Sequence, residues 1–347
     1  MNIKSLVRKN ILDLKPYSSA RSNHLEGVLL DANENPFGSV IENDLNLNRY
    51  PDPKQTEIRN VLSKYLSVNP ENIFIGVGSD EVIDLAVRIF CEPQKNNVII
   101  CEPTYGMYKV ACDINDISTV TVPLNLQYDI DVKKVLGSVT PDTKMIFFCS
   151  PNNPTGNLLS KKKIVQIAKK FNGIIIVDQA YADFSLEDED IQSLLRYKNI
   201  ILLRTFSKAW GLAGIRCGYA IADLEIIQLF FKIKSPYNLN KLSSEVILKA
   251  LKKKNIKQRF VAKINKEKKW LINNISPLQG IEKIYPSDAN FVLFKVKNAK
   301  DIYEKLAEKG IIIRDRSNQL NLKNCLRISI GTPAENKLFL SELKKIL

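Results

Sequence analysis

The sequence predicts an α/β protein in two units: a larger one built on a mostly parallel central sheet with helices on both faces, and a smaller α+β unit after it. Three observations carry this. Between about residues 45 and 235, short β-branched runs alternate with helical patterns. Those runs are nearly continuous in apolar character, without the in-and-out alternation of a half-exposed strand, so both faces of their sheet are covered. Beyond about residue 240 the order changes to a long helical stretch followed by closely spaced strand-like runs.

Taken in order, the strands of the larger unit are read from NIFIGVG, NNVIICEP, STVTVPL, TKMIFFCSP, GIIIVD, NIILLRT and CGYAIA. The segment GSDEVIDLAVRIF after the first of them is a helix. Val82, Leu85, Ala86, Ile89 and Phe90 recur at helical spacing, Ser79 is placed to cap its start, and Asp80 and Glu81 suit its first turn. The smaller unit follows from a Lys-rich helical region through Trp270, then ANFVLFKV, DIYEKLAEKG, IIIRD and CLRISIGT. The expected division is an N-terminal segment, residues 1–44, joined to the smaller unit; the larger unit, 45–240; and the smaller unit, 241–347.

Bulk properties narrow the function. The 347 residues, 45% of them hydrophobic, are enough for one large core and a lesser one. The net charge of +14 comes from scattered lysines in a chain also rich in Asn and Ile, which points to compositional bias and not to a nucleic-acid partner. A positive surface would still help collect anionic substrates. Six cysteines form no C-x-x-C pair and His24 is the one histidine, which argues against a metal site and against a histidine-based triad. The cysteines read instead as small buried hydrophobes. No apolar run has transmembrane length and the start lacks a signal-peptide core, so a cytoplasmic protein with no membrane partner is expected.

Chemistry-bearing residues fall where strands end. Gly78-Ser79 follows the first strand at a helix start, PNNPTG follows MIFFCS, QAY follows GIIIVD, and FSK follows NIILLRT. An open α/β sheet builds its ligand crevice at such strand ends. Free N–H groups around Ser79 suit a phosphate, and Asp178, at the end of an apolar strand, has to reach solvent or find a cationic partner. Lys208 lies just past a strand end.

In order the chain carries GSDE, PTYGMY, PNNPTG, VDQAY, TFSK and GIR, and this string resembles the fold type I pyridoxal-phosphate-dependent transferases. DANENPFG, RYPDP, EPTYGMY, SPNNPTG, TFSKAWGLAGIRCGY and LRISIGT together are similar to the histidinol-phosphate aminotransferases, over nearly the whole chain. The resemblance implies that pyridoxal 5'-phosphate is held covalently by Lys208, which then moves a proton at the substrate α-carbon. It implies that Asp178 pairs with the pyridinium nitrogen, that Asn153 and Tyr181 bond the phenolic oxygen, and that Tyr105 stacks on the ring. Ser79, Asp80, Thr205, Ser207 and Arg216 would hold the phosphate, with Tyr50 supplied by the second subunit of a homodimer.

For the substrate, the resemblance implies that Arg327 grips an anionic group, with Arg314, Tyr17 and Asn33 completing the pocket. The expected reaction exchanges an amino group between histidinol phosphate and 2-oxoglutarate. Threonine-phosphate decarboxylation and broad aromatic transamination stay open, because the same motifs serve them. Lys161 to Lys163 read as a solvated helix start. The basic stretch from Lys249 to Lys269 exceeds what this chemistry needs and has no assigned role.

Overall fold

The computed structural model describes residues 2–22, 24–41, 45–186 and 191–347. The expected boundary at residue 44 therefore lies outside the described residues. The N-terminal segment carries the short helix α1 (Lys9–Asp13), and α2 (Thr56–Leu66) leads into the larger sheet. Then come β1 (Ile73–Gly76), α3 (Gly78–Phe90), β2 (Asn97–Glu102), α4 (Met107–Ile114), β3 (Ser118–Pro123), α5 (Val132–Gly137) and β4 (Thr143–Cys149). They are followed by α6 (Lys161–Ala168), β5 (Ile174–Asp178), α7 (Ile191–Leu195), β6 (Ile200–Thr205), β7 (Gly218–Ile221) and α8 (Leu224–Ile233). Helices α9 (Lys241–Leu251) and α10 (Lys254–Ile275) precede β8 (Ile281–Ile284), β9 (Phe291–Val296), α11 (Ala299–Glu308), β10 (Arg314–Asp315), β11 (Cys325–Ser329) and α12 (Pro333–Ile346).

Among the described residues, seven strands form one sheet in the order β1-β7-β6-β5-β4-β2-β3. Only β7 runs against its neighbours. Except for β3, the edge strand, whose residues are mostly exposed or half-exposed contrary to expectation, the strands are buried on both faces, as their unbroken apolar character requires. In β5, Ile174 and Ile176 join a core with α3, α4 and α8, while Ile175 and Val177 join a core with α2, α6 and α9 on the opposite face. Each fully buried Ile or Val contributes roughly 1.5–3 kcal/mol against leaving it in water. The period of two along a strand assigns alternate residues to the two cores.

Among the described residues the smaller sheet has four strands in the order β10-β11-β9-β8, all antiparallel. Its core joins Val292 and Phe294 of β9 to Leu271 of α10, Leu306 of α11 and Phe339 of α12. All six cysteines are free and buried.

Two local expectations need correction. Ser79 does not cap α3: the helix begins at Gly78, Ser79 lies inside it, and Glu81 reaches back to accept a 2.5 Å hydrogen bond from the Val77 N–H. An acid in the first turn can satisfy a free amide as well as a capping hydroxyl does. Lys163 is not simply solvated at the start of α6, since it pairs with Asp129 at 2.7 Å and donates to the Ile130 carbonyl.

Candidate active site

Register brings the strand ends together. Cys149 lies beside Asp178, Asp178 beside Leu203, Thr205 beside Gly218, and Gly218 beside Gly76. The loops leaving β1, β4, β5 and β6 therefore open at one edge of the sheet. Between them is a cavity of about 140 Å³ lined by Ser79, Asp80, Tyr105, Asn153, Asp178, Tyr181, Thr205, Ser207, Lys208 and Arg216.

Asp178 is 3% exposed. Its Oδ2 accepts a 2.8 Å hydrogen bond from the Tyr108 hydroxyl and its Oδ1 a 3.0 Å bond from the Ala180 N–H. Among the described residues no ion pair involves it. Burial disfavours its charge and pushes the carboxyl up to about 6, despite the lowering effect of the Tyr108 bond. Lys208 reaches into the same cavity, its Nζ 5.5 Å from the centroid of the Tyr181 ring. Loss of surrounding water and then the charge of Arg327 lower its pKa, so more of it is the neutral amine at neutral pH than for a free lysine.

The aromatic walls are cross-linked. Tyr105 meets Tyr108 edge-on at 5.5 Å and donates to Asp80 Oδ1 at 3.3 Å. Asn153 is buried, donates to the Tyr181 hydroxyl at 3.4 Å, and accepts a hydrogen bond from Arg327. Tyr181 also meets the edge of Phe291 at 5.1 Å.

On the other side stands the N-terminus of α3. Gly78 has φ +75°, and a Cβ there would sit 3.0 Å from the Arg216 guanidinium. Gly218 is tighter still, since a Cβ would lie 2.5 Å from the Ser79 nitrogen. Both glycines let helix, strand and arginine crowd together. Arg216 itself is left-handed, φ 51°, and its Nη2 lies 3.3 Å from Asp80. The Ser207 N–H donates to the Thr205 hydroxyl at 3.0 Å. Free helix-start amides, two hydroxyls and a guanidinium make a favourable place for an anion.

A second cationic group lies on the smaller sheet. Arg314 is the cross-strand partner of Arg327, and Arg316, two residues on, shares its face. Among the described residues none of the three forms an ion pair, and the Nε atoms of Arg316 and Arg327 are buried without a hydrogen-bond partner. Burial, then the charge of Arg316, lowers Arg327 to about 10. Three like charges without a carboxylate call for an anion.

Three expected residues are elsewhere in this chain. Tyr17 is 77% exposed and lines a separate cavity with Arg8, Arg59 and Lys234. Asn33 and Tyr50 line another with Tyr237, on which Tyr50 stacks at 4.4 Å. Conversely, two residues of the site lie away from the strand ends of the larger sheet. Tyr108 is i+3 from Tyr105 in PTYGMY, a polar aromatic inside a buried helical stripe. Arg316 follows Arg314 at strand spacing in RDR. The spacing shows the face on which each lies, not the group it meets there.

Comparison with known proteins agrees with this geometry. Residues 17–343 match the family model for aminotransferase class I and II. A histidinol-phosphate aminotransferase from Cytophaga hutchinsonii is 47% identical over 345 residues, 99% of each chain. One from Christiangramia forsetii is 48% identical over 99% of this chain and 98% of its own. Among solved structures, the histidinol-phosphate aminotransferase of Clostridium acetobutylicum superimposes with a TM-score of 0.80 at 26% identity, covering 87% of this chain and 91% of the other. That of Sinorhizobium meliloti, in complex with pyridoxal-5'-phosphate, gives 0.80 at 26% identity, covering 91% and 89%. With a fold type I sheet and the cavity at its strand ends, the chain belongs to the class I and II aminotransferases and, within them, to the histidinol-phosphate aminotransferase family.

Proposed function

We infer that this protein transfers the amino group of L-histidinol phosphate to 2-oxoglutarate, giving imidazole acetol phosphate and L-glutamate, as a step of histidine biosynthesis. The observation that carries the reading is a buried carboxylate, Asp178, in one cavity with the amine of Lys208 and beside three arginines, with neither that carboxylate nor any of the arginines forming an ion pair among the described residues.

The residues present fit pyridoxal 5'-phosphate. Asp178 has no ion-pair partner among the described residues, and a protonated ring nitrogen would provide one. Tyr105 offers a ring to stack against, and Asn153 and Tyr181 offer donors for a phenolic oxygen. The amides around Ser79 and Asp80, the hydroxyls of Thr205 and Ser207, and Arg216 would hold the phosphate. When bound, the cofactor supplies an electron-accepting ring that makes the α-hydrogen of an attached amine acidic.

The chain's own residues do the rest. Lys208 takes the proton from the substrate α-carbon and returns it, and its lowered pKa favours the neutral amine that this requires. Asp178, as a carboxylate, would keep a positive charge on a ring nitrogen opposite it. Arg327, with Arg314 and Arg316, orients the anionic end of either substrate, since phosphate and carboxylate both present oxygens to a planar fork. Tyr17 and Asn33, which line other cavities in their own chain, would complete such a pocket only across a homodimer interface.

We read the enzyme as a homodimer. Val28, Leu30, Phe37 and Val40 of the N-terminal segment are between 83% and 101% exposed, an apolar surface that a second copy would cover. Tyr50, outside the cavity of its own chain, would then serve the neighbouring site. A cytoplasmic location is supported by six free buried thiols. Among the described residues no helix is long and apolar enough to cross a membrane. A division into two units is supported by the separate sheets, which span 73–221 and 281–329, but the bounds differ from those expected: Ile3, Leu6 and Val7 of the N-terminal segment and Ile247 and Leu251 of α9 pack in the cores of the larger sheet.

The test is the absorption spectrum of the purified protein before and after histidinol phosphate. A yellow protein that bleaches with this compound, and recovers with 2-oxoglutarate, is expected. Carbon dioxide release from threonine phosphate without bleaching by histidinol phosphate would replace the reading with a decarboxylase. Equal rates with phenylalanine would replace it with a broader aromatic enzyme.

A further inference from the structure

We propose that Lys257, in the Lys-rich helix α10, is a positioning residue that holds the turns carrying Tyr181 and Lys208 at their working separation. The proposal rests on the aminotransferase reading above.

Lys257 is 8% exposed. Its Nζ donates to Asp183 Oδ1 at 2.7 Å and to the Tyr65 hydroxyl at 2.8 Å, and it lies over the rings of Trp210 and Tyr65 at 5.0 and 5.4 Å. Asp183 sits two residues after Tyr181, in the single 3-10 turn Ala182–Phe184. Trp210 sits two residues after Lys208, inside a turn closed by the Gly211 N–H donating to the Lys208 carbonyl at 3.0 Å. One ammonium thus bridges the two turns that deliver Tyr181 and Lys208.

The rest of the same helical face supports it. Lys257, Val261, Ile264 and Lys268 follow the spacing of one stripe. Val261 and Ile264 pack on the cluster of Tyr181, Phe184, Ala209 and Phe291. Asn265 donates to the Phe184 carbonyl at 3.0 Å, and Lys268 donates to the Ala289 carbonyl at 2.8 Å, two residues from Phe291. Leu271 and Ile275, further along α10, lie in the core of the smaller sheet. The helix therefore connects the sheet that carries Arg327 to the back of the turns that carry Tyr181 and Lys208.

A buried ion pair is a poor device for stability, since apolar residues of the same volume commonly stabilise as well or better. A directional contact to two separate turns fixes geometry, which an apolar side chain would not. Burial opposes the charge, but Asp183 and the two hydrogen bonds outweigh it and raise the Lys257 pKa, so the tether stays charged wherever the enzyme works.

The experiment compares Lys257→Met and Lys257→Arg with the wild-type holoenzyme. Lys257→Met leaves Asp183 without its cation, so it is expected to melt below wild type, to lose about tenfold in kcat with KM for histidinol phosphate within about twofold, and to recover most of both Tm and kcat as Lys257→Arg. The pH midpoint of the bound cofactor's colour change should also move, because it reports the nitrogen of Lys208 and the groups facing it, Asp178, Asp80, Arg216 and Arg327. In cofactor-free protein carrying Trp270→Phe, the emission of Trp210 should shift. A folded Lys257→Met with wild-type kcat and midpoint overturns the proposal. Should Lys257→Met not fold, Asp183→Asn must show the same midpoint shift, and an unmoved midpoint overturns the proposal equally. A wild-type protein without cofactor colour would instead sink the functional reading itself.

Discussion

The hydroxyl of Tyr108 donates a 2.8 Å hydrogen bond to Asp178, from a ring that is fully buried and stacked on Phe147 at 4.6 Å. Helix α4 thus reaches through the core to orient a carboxylate at the end of β5. The bond favours the charged form while burial opposes it, and burial wins.

Removing that donor as Tyr108→Phe leaves Asp178 with only the Ala180 N–H. The carboxyl should rise further above its ordinary range. kcat/KM should fall by about tenfold or more, most steeply toward acid pH, corresponding to the ~1.5–3 kcal/mol of a hydrogen bond to a charged group. A full pH–rate profile of the variant checks this.

Asp178→Asn should kill turnover yet stabilise the cofactor-free protein. The folded pKa, about 6, exceeds the ordinary 3.8. The wild-type stability attached to this group is therefore fully present below about pH 4 and is lost as pH rises through 6. At pH 7 and above that loss is about 3 kcal/mol, less about 1 kcal/mol for the hydrogen bond that Asn cannot accept, so a gain of about 2 kcal/mol is expected. Melting both proteins between pH 4 and 8 should show a difference that grows to about pH 6 and then levels.

Gly218→Ala should displace α3 from β7, because the new methyl would fall 2.5 Å from the Ser79 nitrogen and 2.8 Å from the Gly78 carbonyl carbon. Overpacking of this kind costs about 1–3 kcal/mol. Titration with pyridoxal 5'-phosphate should reveal weaker binding in addition to a lower Tm.

Arg316→Gln should discriminate between substrates. The side chain shares a face with Arg314 and lies near Arg327 without a carboxylate partner among the described residues. Losing one charged donor to a dianion costs about 1.5–3 kcal/mol. KM for histidinol phosphate should rise about tenfold or more, and KM for glutamate less, which steady-state kinetics of both half-reactions would measure.

Tyr50 can be tested by complementation. Tyr50→Ala and Lys208→Ala homodimers should each be nearly inactive. If Tyr50 serves the neighbouring site, unfolding and refolding the two together should restore about a quarter of wild-type activity, because half the dimers are mixed and each has one intact site. No recovery would place Tyr50 outside the shared site.

The larger sheet was legible because its strands, apart from the exposed edge strand β3, repeat one physical signal, unbroken apolar runs ended by polar turns. Every cofactor residue expected around the cavity, apart from Tyr50, lies on its lining, since each sits within a few positions of a strand end or helix start. Ser79 shows the limit at finer scale: whether a serine caps a helix or enters it depends on a backbone angle one residue away. Tyr17 and Asn33 show another, because an N-terminal segment with few buried neighbours has no local pattern to fix where it lies.

By itself, then, the sequence determined the alternation of strands and helices, the two-sheet architecture and the order of reactive residues, because these follow from side-chain periodicity and strand-end position. Only the tertiary structure decided that Tyr108 holds Asp178, that Arg316 joins Arg327, and that Lys257 bridges the turns of Tyr181 and Lys208. Those contacts join residues far apart in the chain. Their partners are chosen by register and by the requirement that a buried charge find a counter-group, and neither is written in any local stretch.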